Sequence, residues 1–306
     1  LYGRPVEMTT HDGFVNKYNY DSQGRLSSIK DNNNVTIVSY SYDALGRLIR
    51  QQNSNGTLTN YEYDPSSRIT SITNGKTSDN SILSRFLYVY NNLGLPTSVT
   101  TMEGTTNYNY NALRQLTKVI LPSGRTIEYA YDPAGNRSIV SDSGLGNISF
   151  TTNDLNQYTS KGTETFAYDL DGRLVTRSSD QGVTSYTYDS QEKLVKVVSP
   201  TSIFEYEYDV FGNRKSVTIN GEKTIFLTDP VGLGNVIGEY DENGNLISHF
   251  THGFGLVGRG ETANTSSFYN FDITGNTIQI TSPSTQIQNN YSYLPYGEQL
   301  TSSKAI

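Results

Sequence analysis

The chain has no cysteine and no tryptophan, and only two methionines, among its 306 residues. Without cysteine there is no disulfide and no thiolate-ligated metal. Basic charge is also in short supply. Twenty-three Lys and Arg face 30 Asp and Glu, for a net charge of −7, and no basic run occurs, which speaks against a nucleic-acid backbone as partner. No apolar run approaches the roughly 18 residues of a membrane-spanning helix, and no signal peptide is visible. Only 17% of residues are charged, too few for disorder driven by self-repulsion. The chain opens on Leu1-Tyr2-Gly3-Arg4-Pro5, which reads as the tail of a turn and points to a piece excised from a longer protein.

What the chain has is tyrosine. Hydrophobic residues make up 34% of it, and 24 residues are Tyr. A tyrosine ring packs, but its hydroxyl needs a partner, so amphipathic surfaces are expected rather than a dry aliphatic centre. Seventeen of the 24 tyrosines fall in nine copies of an aromatic-x-Tyr-Asp/Asn pattern, from Tyr18-Asn19-Tyr20-Asp21 to Tyr206-Glu207-Tyr208-Asp209. Copies are 20–27 residues apart, except for one gap of 37 that conceals a worn copy at Phe150-Thr151-Thr152-Asn153-Asp154.

Each feature has a physical meaning. Aromatics two apart share one face of a strand, because side chains alternate with period two. Asp or Asn then opens a turn by bonding its backbone. In six copies Gly follows three residues later, at 24, 46, 94, 135, 172 and 212, where it supplies the positive φ of a short hairpin loop. A second turn lies about half a period away, at Asn55-Gly56, Glu103-Gly104, Ser123-Gly124 and Gln181-Gly182. Two strands and two turns in about 21 residues make a continuous antiparallel β-meander, and no stretch keeps a helical period. A propeller with two repeats per blade, or a β-sandwich, would share the period.

The motif itself decides. Tyr20-Asp21-Ser22-Gln23-Gly24-Arg25-Leu26, Tyr42-Asp43-Ala44-Leu45-Gly46-Arg47-Leu48 and Tyr168-Asp169-Leu170-Asp171-Gly172-Arg173-Leu174 resemble the RHS, or YD, repeat family. The match weakens where Ser67, Arg114 and Glu192 replace the glycine. The resemblance implies an all-β fold, a ribbon of about 21-residue hairpins forming part of a curved shell. It divides the chain into tandem YD repeats over 1–220, worn near 139–162, and degenerate RHS repeats over 221–306, truncated before a core-associated terminus. In bacterial polymorphic toxins and insecticidal toxin complexes such shells enclose a C-terminal toxin, and in teneurins a similar shell supports adhesion. The expected partners are thus the remainder of a parent shell and an enclosed effector. A glycan or cell-surface ligand is the alternative, with the chain as an adhesin or carbohydrate-binding module. The implied setting is secreted or cell-surface. The expected structural anchors are Tyr20, Asp21, Gly24, Tyr42, Asp43, Gly46, Tyr63, Asp64, Tyr131, Asp132, Gly135, Tyr168, Asp169, Gly172, Tyr188, Asp189, Tyr208, Asp209 and Gly212.

Motifs with chemical overtones fare poorly, and no catalytic residue, cofactor or metal is expected. Asp229-Pro230-Val231-Gly232-Leu233 is similar to a segment at which some RHS cores cleave themselves, but further repeats follow it, so a turn is the better reading. Gly253-Phe254-Gly255-Leu256-Val257-Gly258 fits a dinucleotide fingerprint by letter yet lacks a following helix. Asp241-Glu242-Asn243-Gly244-Asn245 has its glycine at the wrong place for a helical calcium loop. Looser calcium binding by this turn or by Asp31-Asn32-Asn33-Asn34 stays open. His249 and His252, three apart in an expected strand, sit badly for zinc. Ser248 and His249, as strand neighbours, point to opposite faces.

Overall fold

A computed structural model describes residues 3–231, 234–261 and 266–304. These residues form 29 β-strands, from Glu7–Thr9 to Gln299–Lys304, and no helix. All strands belong to one sheet, and each pairs antiparallel with its neighbours in the chain. The first and last strands each have a single partner among the described residues, so the sheet is unclosed. The expected meander is thus the fold, and a propeller or sandwich is not.

The hairpin after each Tyr-Asp explains the repeat. In the pair Thr36–Tyr42 and Leu48–Asn53, the register shifts between Ser41 and Tyr42. Gly46 N donates to Asp43 O at 3.0 Å, and Asp43 N donates to Arg47 O at 3.0 Å. This is a four-residue turn closed by a left-handed residue, Gly46 at φ 81°. The bulge restores the twist that a plain turn of this type would spoil. Ser67, Arg114 and Glu192 adopt the same conformation at φ 64°, and Asn156 of the worn copy at φ 59°. The fold therefore holds L-residues in a glycine conformation instead of altering the loop. Asp31–Val35 and Asp241–Asn245 close in the same way, with Asn34 and Gly244 left-handed.

The ribbon curls back on itself. Strands after residue 236 pack on the first dozen. Ile29, Ile37, Val38 and Tyr40 are buried with Val257 and Phe268. A second cluster joins Val119, Leu121, Ile127 and Tyr129 to Leu294 and Leu300. Polar contacts mark the same overlap: Asn55 Nδ2 donates to Ser282 O at 2.9 Å, and Gln279 Nε2 to Leu83 O at 3.1 Å. Between Tyr158 and Thr228 no such cover exists. Among the described residues of that stretch Ser216 alone is buried, and Phe166, Tyr186 and Tyr206 stay half-exposed.

Candidate functional site

The recurring feature of this molecule is a staple between successive repeats, built by the residues of the motif. Asp43 illustrates its own half. Its Oδ1 accepts from Leu45 N at 3.0 Å and Arg47 N at 2.9 Å, and its Oδ2 accepts from Arg47 Nε at 2.6 Å. Asp21, Asp64 and Asp169 hold Arg25, Arg68 and Arg173 in the same way at 2.6–2.8 Å. Hydrogen bonds from the Arg25 backbone and guanidinium keep the Asp21 carboxyl below its usual value despite desolvation. Where Asn replaces Arg, at 136 and 213, its amide still donates to Asp132 and Asp209.

The other half reaches the next repeat. The arginine held by each Asp lies over the following repeat's tyrosine: Arg25 over Tyr42 at 4.4 Å, Arg47 over Tyr63 at 4.6 Å, Arg173 over Tyr188 at 5.4 Å. Lys193 does the same for Tyr208 at 5.4 Å. That tyrosine's hydroxyl donates back to the carbonyl of the preceding repeat's leucine. Tyr42 reaches Leu26 O at 2.5 Å, Tyr63 reaches Leu48 O at 2.7 Å, Tyr131 reaches Leu116 O at 2.6 Å, and Tyr188 and Tyr208 reach Leu174 and Leu194. Tyr20 and Tyr168 bond Pro5 O and Tyr158 O, both at 2.8 Å. At Tyr42, Tyr63, Tyr188 and Tyr208 the staple combines a hydrogen bond of about 1 kcal/mol with a cation–π contact of about 0.5–1 kcal/mol. The sequence predicts the turn role of the Asp and Gly. The links that Arg, Leu and the tyrosine hydroxyl make between repeats are findings of the structure.

Where the returning strands cover the ribbon, the first aromatic of the pair is the packing residue. Tyr40, Tyr88 and Tyr129 are buried under the returning strands. Desolvation pushes the hydroxyls of Tyr18, Tyr61 and Tyr108 to about 12. Tyr40 Oη is buried with no hydrogen-bond partner.

One polar cluster stands outside the repeat and is not foreseen by the sequence reading. His249 is buried, stacks on Phe14 at 4.2 Å, and places Nε2 2.9 Å from Asp12 Oδ2. Tyr240 Oη lies 3.3 Å from the same nitrogen, and the His11 ring lies 4.9 Å from the Tyr240 ring. Burial holds the His249 imidazole below its usual value, against the pull of Asp12. Burial also raises the Asp12 carboxyl, but the Thr10 hydrogen bond and His249 outweigh it and leave it low. His252 Nε2 bonds Val236 O at 2.8 Å, and burial depresses it too. One ring nitrogen, Nε2, meets both Asp12 and Tyr240, and the other, Nδ1, is buried with no hydrogen-bond partner. The cluster ties the returning strands to the turn after the first strand. Its partners are 237 residues apart in sequence, which no local pattern could reveal.

The remaining motifs resolve into turns. Asp229 N bonds Asn235 O, and Val231 N bonds Asp229 Oδ1; Gly232 and Leu233 lie outside the described residues. Gly253 and Gly255 pair across a tight hairpin, and a strand, Gly255–Gly260, follows instead of a helix. Both Asp241 carboxylate oxygens are taken by Asn243 and Asn245. No group of three or more acidic or imidazole side chains able to hold a metal ion occurs among the described residues.

These features agree with comparisons to known proteins. A family profile described as teneurin YD-shell matches residues 89–303, and an RHS repeat profile matches 20–58 and 42–78. The tRNA3(Ser)-specific nuclease WapA of Bacillus spizizenii is 30% identical over 289 residues, covering 92% of this chain and 12% of that protein. The tRNA nuclease WapA of Bacillus subtilis is 29% identical over 194 residues, covering 61% of this chain and 8% of that protein. The chain thus spans a small part of the curated relatives it matches. A Photorhabdus luminescens Tc holotoxin pore superimposes with a TM-score of 0.63, and a TcdB2–TccC3 structure with 0.66. Both are 16% identical and cover 98% of this chain, which covers 17% and 18% of theirs. The likeness is one of fold. By its tyrosine staples, its hairpin register and the profile match over most of its length, the chain belongs to the teneurin YD-shell family and is built of RHS repeats.

Proposed function

We propose that this chain is a wall segment of a secreted or surface-exposed bacterial RHS shell, whose work is to enclose or present an effector domain carried elsewhere in its parent protein. The observation that supports this reading is continuity. Every pairing joins strands adjacent in the chain, and the sheet turns back over its own beginning. Such a ribbon leaves no backbone gap except at its two edges, so it can exclude water, proteases and other macromolecules from one side. The residues that recur are those that join repeat to repeat, from Tyr20, Asp21 and Gly24 to Tyr208, Asp209 and Gly212, and they serve as structural anchors. The segment itself performs no chemistry. The nuclease activity named for its relatives, and the TccC3 component named with TcdB2, would lie outside the stretch that matches. Within the segment, 1–220 forms the regular wall, and 221–306, with looser repeats, forms the part that returns over it.

Limited proteolysis of the parent protein tests the proposal. Sequence C-terminal to the shell should resist protease until denaturant opens the ribbon, and should be cut readily when expressed without it. A C-terminal region cut equally fast in both settings would refute enclosure.

A further inference from the structure

The last hairpin of the ribbon seats its tip on an earlier strand pair in a defined way. Tyr296 lies edge-on to Tyr129, with centroids 5.0 Å apart, and under the Arg137 guanidinium at 4.2 Å. Its hydroxyl meets that of Tyr131 at 2.5 Å. Tyr131 spends its one hydroxyl proton on Leu116 O, so Tyr296 is the donor and Tyr131 the acceptor. Glu298, two residues beyond the tip, approaches Arg137 at 3.7 Å. Tyr129, Tyr131 and Arg137 thus form a receptor for an aromatic tip followed by a carboxylate.

The chain builds that receptor twice. Glu128-Tyr129-Ala130-Tyr131-Asp132-Pro133-Ala134-Gly135-Asn136-Arg137 and Glu205-Tyr206-Glu207-Tyr208-Asp209-Val210-Phe211-Gly212-Asn213-Arg214 share Glu-Tyr-x-Tyr-Asp-x-x-Gly-Asn-Arg. The register is the same, with Tyr131 opposite Arg137 and Tyr208 opposite Arg214. Elsewhere the residue opposite the second tyrosine is not arginine: it is Leu48 for Tyr42, Leu174 for Tyr168 and Leu194 for Tyr188. Tyr208 donates to Leu194 O at 2.7 Å, as Tyr131 does to Leu116, and its oxygen keeps lone pairs for an incoming donor. The first receptor is filled by Tyr296, whereas the second is open. Arg214 is exposed and folds over Tyr206 at 4.5 Å, where it can swing aside at little cost. An open depression of about 560 Å³ lies on the Lys193 side of Tyr206 and Tyr208, walled also by Val195 and the carboxylates of Asp189 and Asp209, and Arg214 does not line it.

We propose that Tyr206, Tyr208 and Arg214 form a second docking site, for a β-hairpin tip of Tyr-Gly-Glu chemistry presented by another stretch of YD ribbon. The choice of ribbon as partner rests on the shell reading and on the filled receptor of this same chain. The recognition chemistry stands on the duplicated sequence and strand register, with Arg214 turned onto Tyr206 where Arg137 lies over Tyr296. The incoming ring lies against Tyr206 and under Arg214, its hydroxyl donates to Tyr208, and its carboxylate pairs with Arg214.

The test uses the whole chain and a labelled, cyclised hairpin peptide of residues 287–304, which carries Tyr296 and Glu298. Saturable binding is expected, weakened about tenfold or more by Arg214→Gln or Tyr206→Ala in the chain, and equally by Tyr296→Ala in the peptide. Far-UV circular dichroism checks that each variant keeps its strand content, and Arg214→Gln, an exposed change, carries the test if Tyr206→Ala unfolds. Absence of binding would overturn the proposal. So would binding indifferent to Arg214→Gln, which would place the peptide in the first receptor or elsewhere. A glycan that binds this face and is lost with Tyr206→Ala, while the hairpin does not bind, would assign the site to carbohydrate instead. Enclosure is read separately by proteolysis of the parent, so either idea can fail without the other.

Discussion

Replacing Ser67, Arg114 and Glu192 together by glycine should make this protein more stable. Each sits where the other hairpins place glycine, at φ 64°, in a turn whose hydrogen bonds match those around Gly46. A left-handed conformation costs an L-residue roughly 1–2 kcal/mol. Glycine removes that cost but brings about 0.5–1 kcal/mol of extra chain entropy to the unfolded state. The net gain is roughly 0.5–1 kcal/mol per site. The three turns belong to separate hairpins and share no partner, so their effects add to about 1.5–3 kcal/mol. Among the described residues the side-chain hydrogen bond lost is an exposed one, Arg47 Nη1 to Ser67 Oγ at 3.2 Å. Urea unfolding followed by circular dichroism is the assay, with a slope near 3 kcal/mol per molar placing the midpoint shift at about 0.5–1 M upward. The converse changes, Gly46→Val and Gly172→Val, force a β-branched residue into φ 81° and φ 82° and should lower the midpoint and open the local hairpin to protease. A triple glycine variant with an unchanged or lower midpoint would refute the turn assignment at its root.

The second and the first tyrosine of the motif, tested in neighbouring repeats at Tyr63 and Tyr40, should answer hydroxyl removal differently. Tyr63→Phe breaks the bond to Leu48 O and should cost about 0.5–1.5 kcal/mol, while Tyr40→Phe removes a buried hydroxyl that has no partner and should be neutral or stabilising in the same urea titration. Acid should loosen the return of the ribbon. Burial lowers the native pKa of His249 and His252 below the unfolded value of about 6.5, so neither penalises folding above that pH, and the native state loses stability as pH falls below it. The slope of urea midpoint against pH between 7 and 5 should flatten in a His249→Gln/His252→Gln variant; an identical slope would contradict it.

Much of the local structure was legible because the forces that make it are local. Alternation placed Tyr18 and Tyr20 on one face, and the Asp-to-Gly spacing announced the turn at Asp21–Gly24, since both depend on residues within a few positions. The worn copy at Phe150–Asp154 was recognisable for the same reason: Asn153 and Asn156 can each do what Asp and Gly do elsewhere. The links between repeats were half-legible. The Arg-Leu pair recurs in sequence, but its purpose, a guanidinium over the next tyrosine and a carbonyl for that tyrosine's hydroxyl, depends on the lateral stacking of hairpins. The return of residues after 236 onto the first strands was not legible at all. Asp12 with His249, Asn55 with Ser282 and Tyr131 with Tyr296 meet only because curvature accumulates over many strands, each adding a small twist.

That return can be measured directly. Asn55 and Ser282 are 227 residues apart in the chain, and Asn55 Nδ2 donates to Ser282 O at 2.9 Å. The protein has no native cysteine, so an Asn55→Cys/Ser282→Cys variant carries two unique thiols. Treated with a short bismaleimide under native conditions, it should form an intramolecular cross-link that disappears in urea and in either single variant. If both thiols react with a monofunctional maleimide yet no cross-link forms in the native state, the ribbon does not curl back over its beginning.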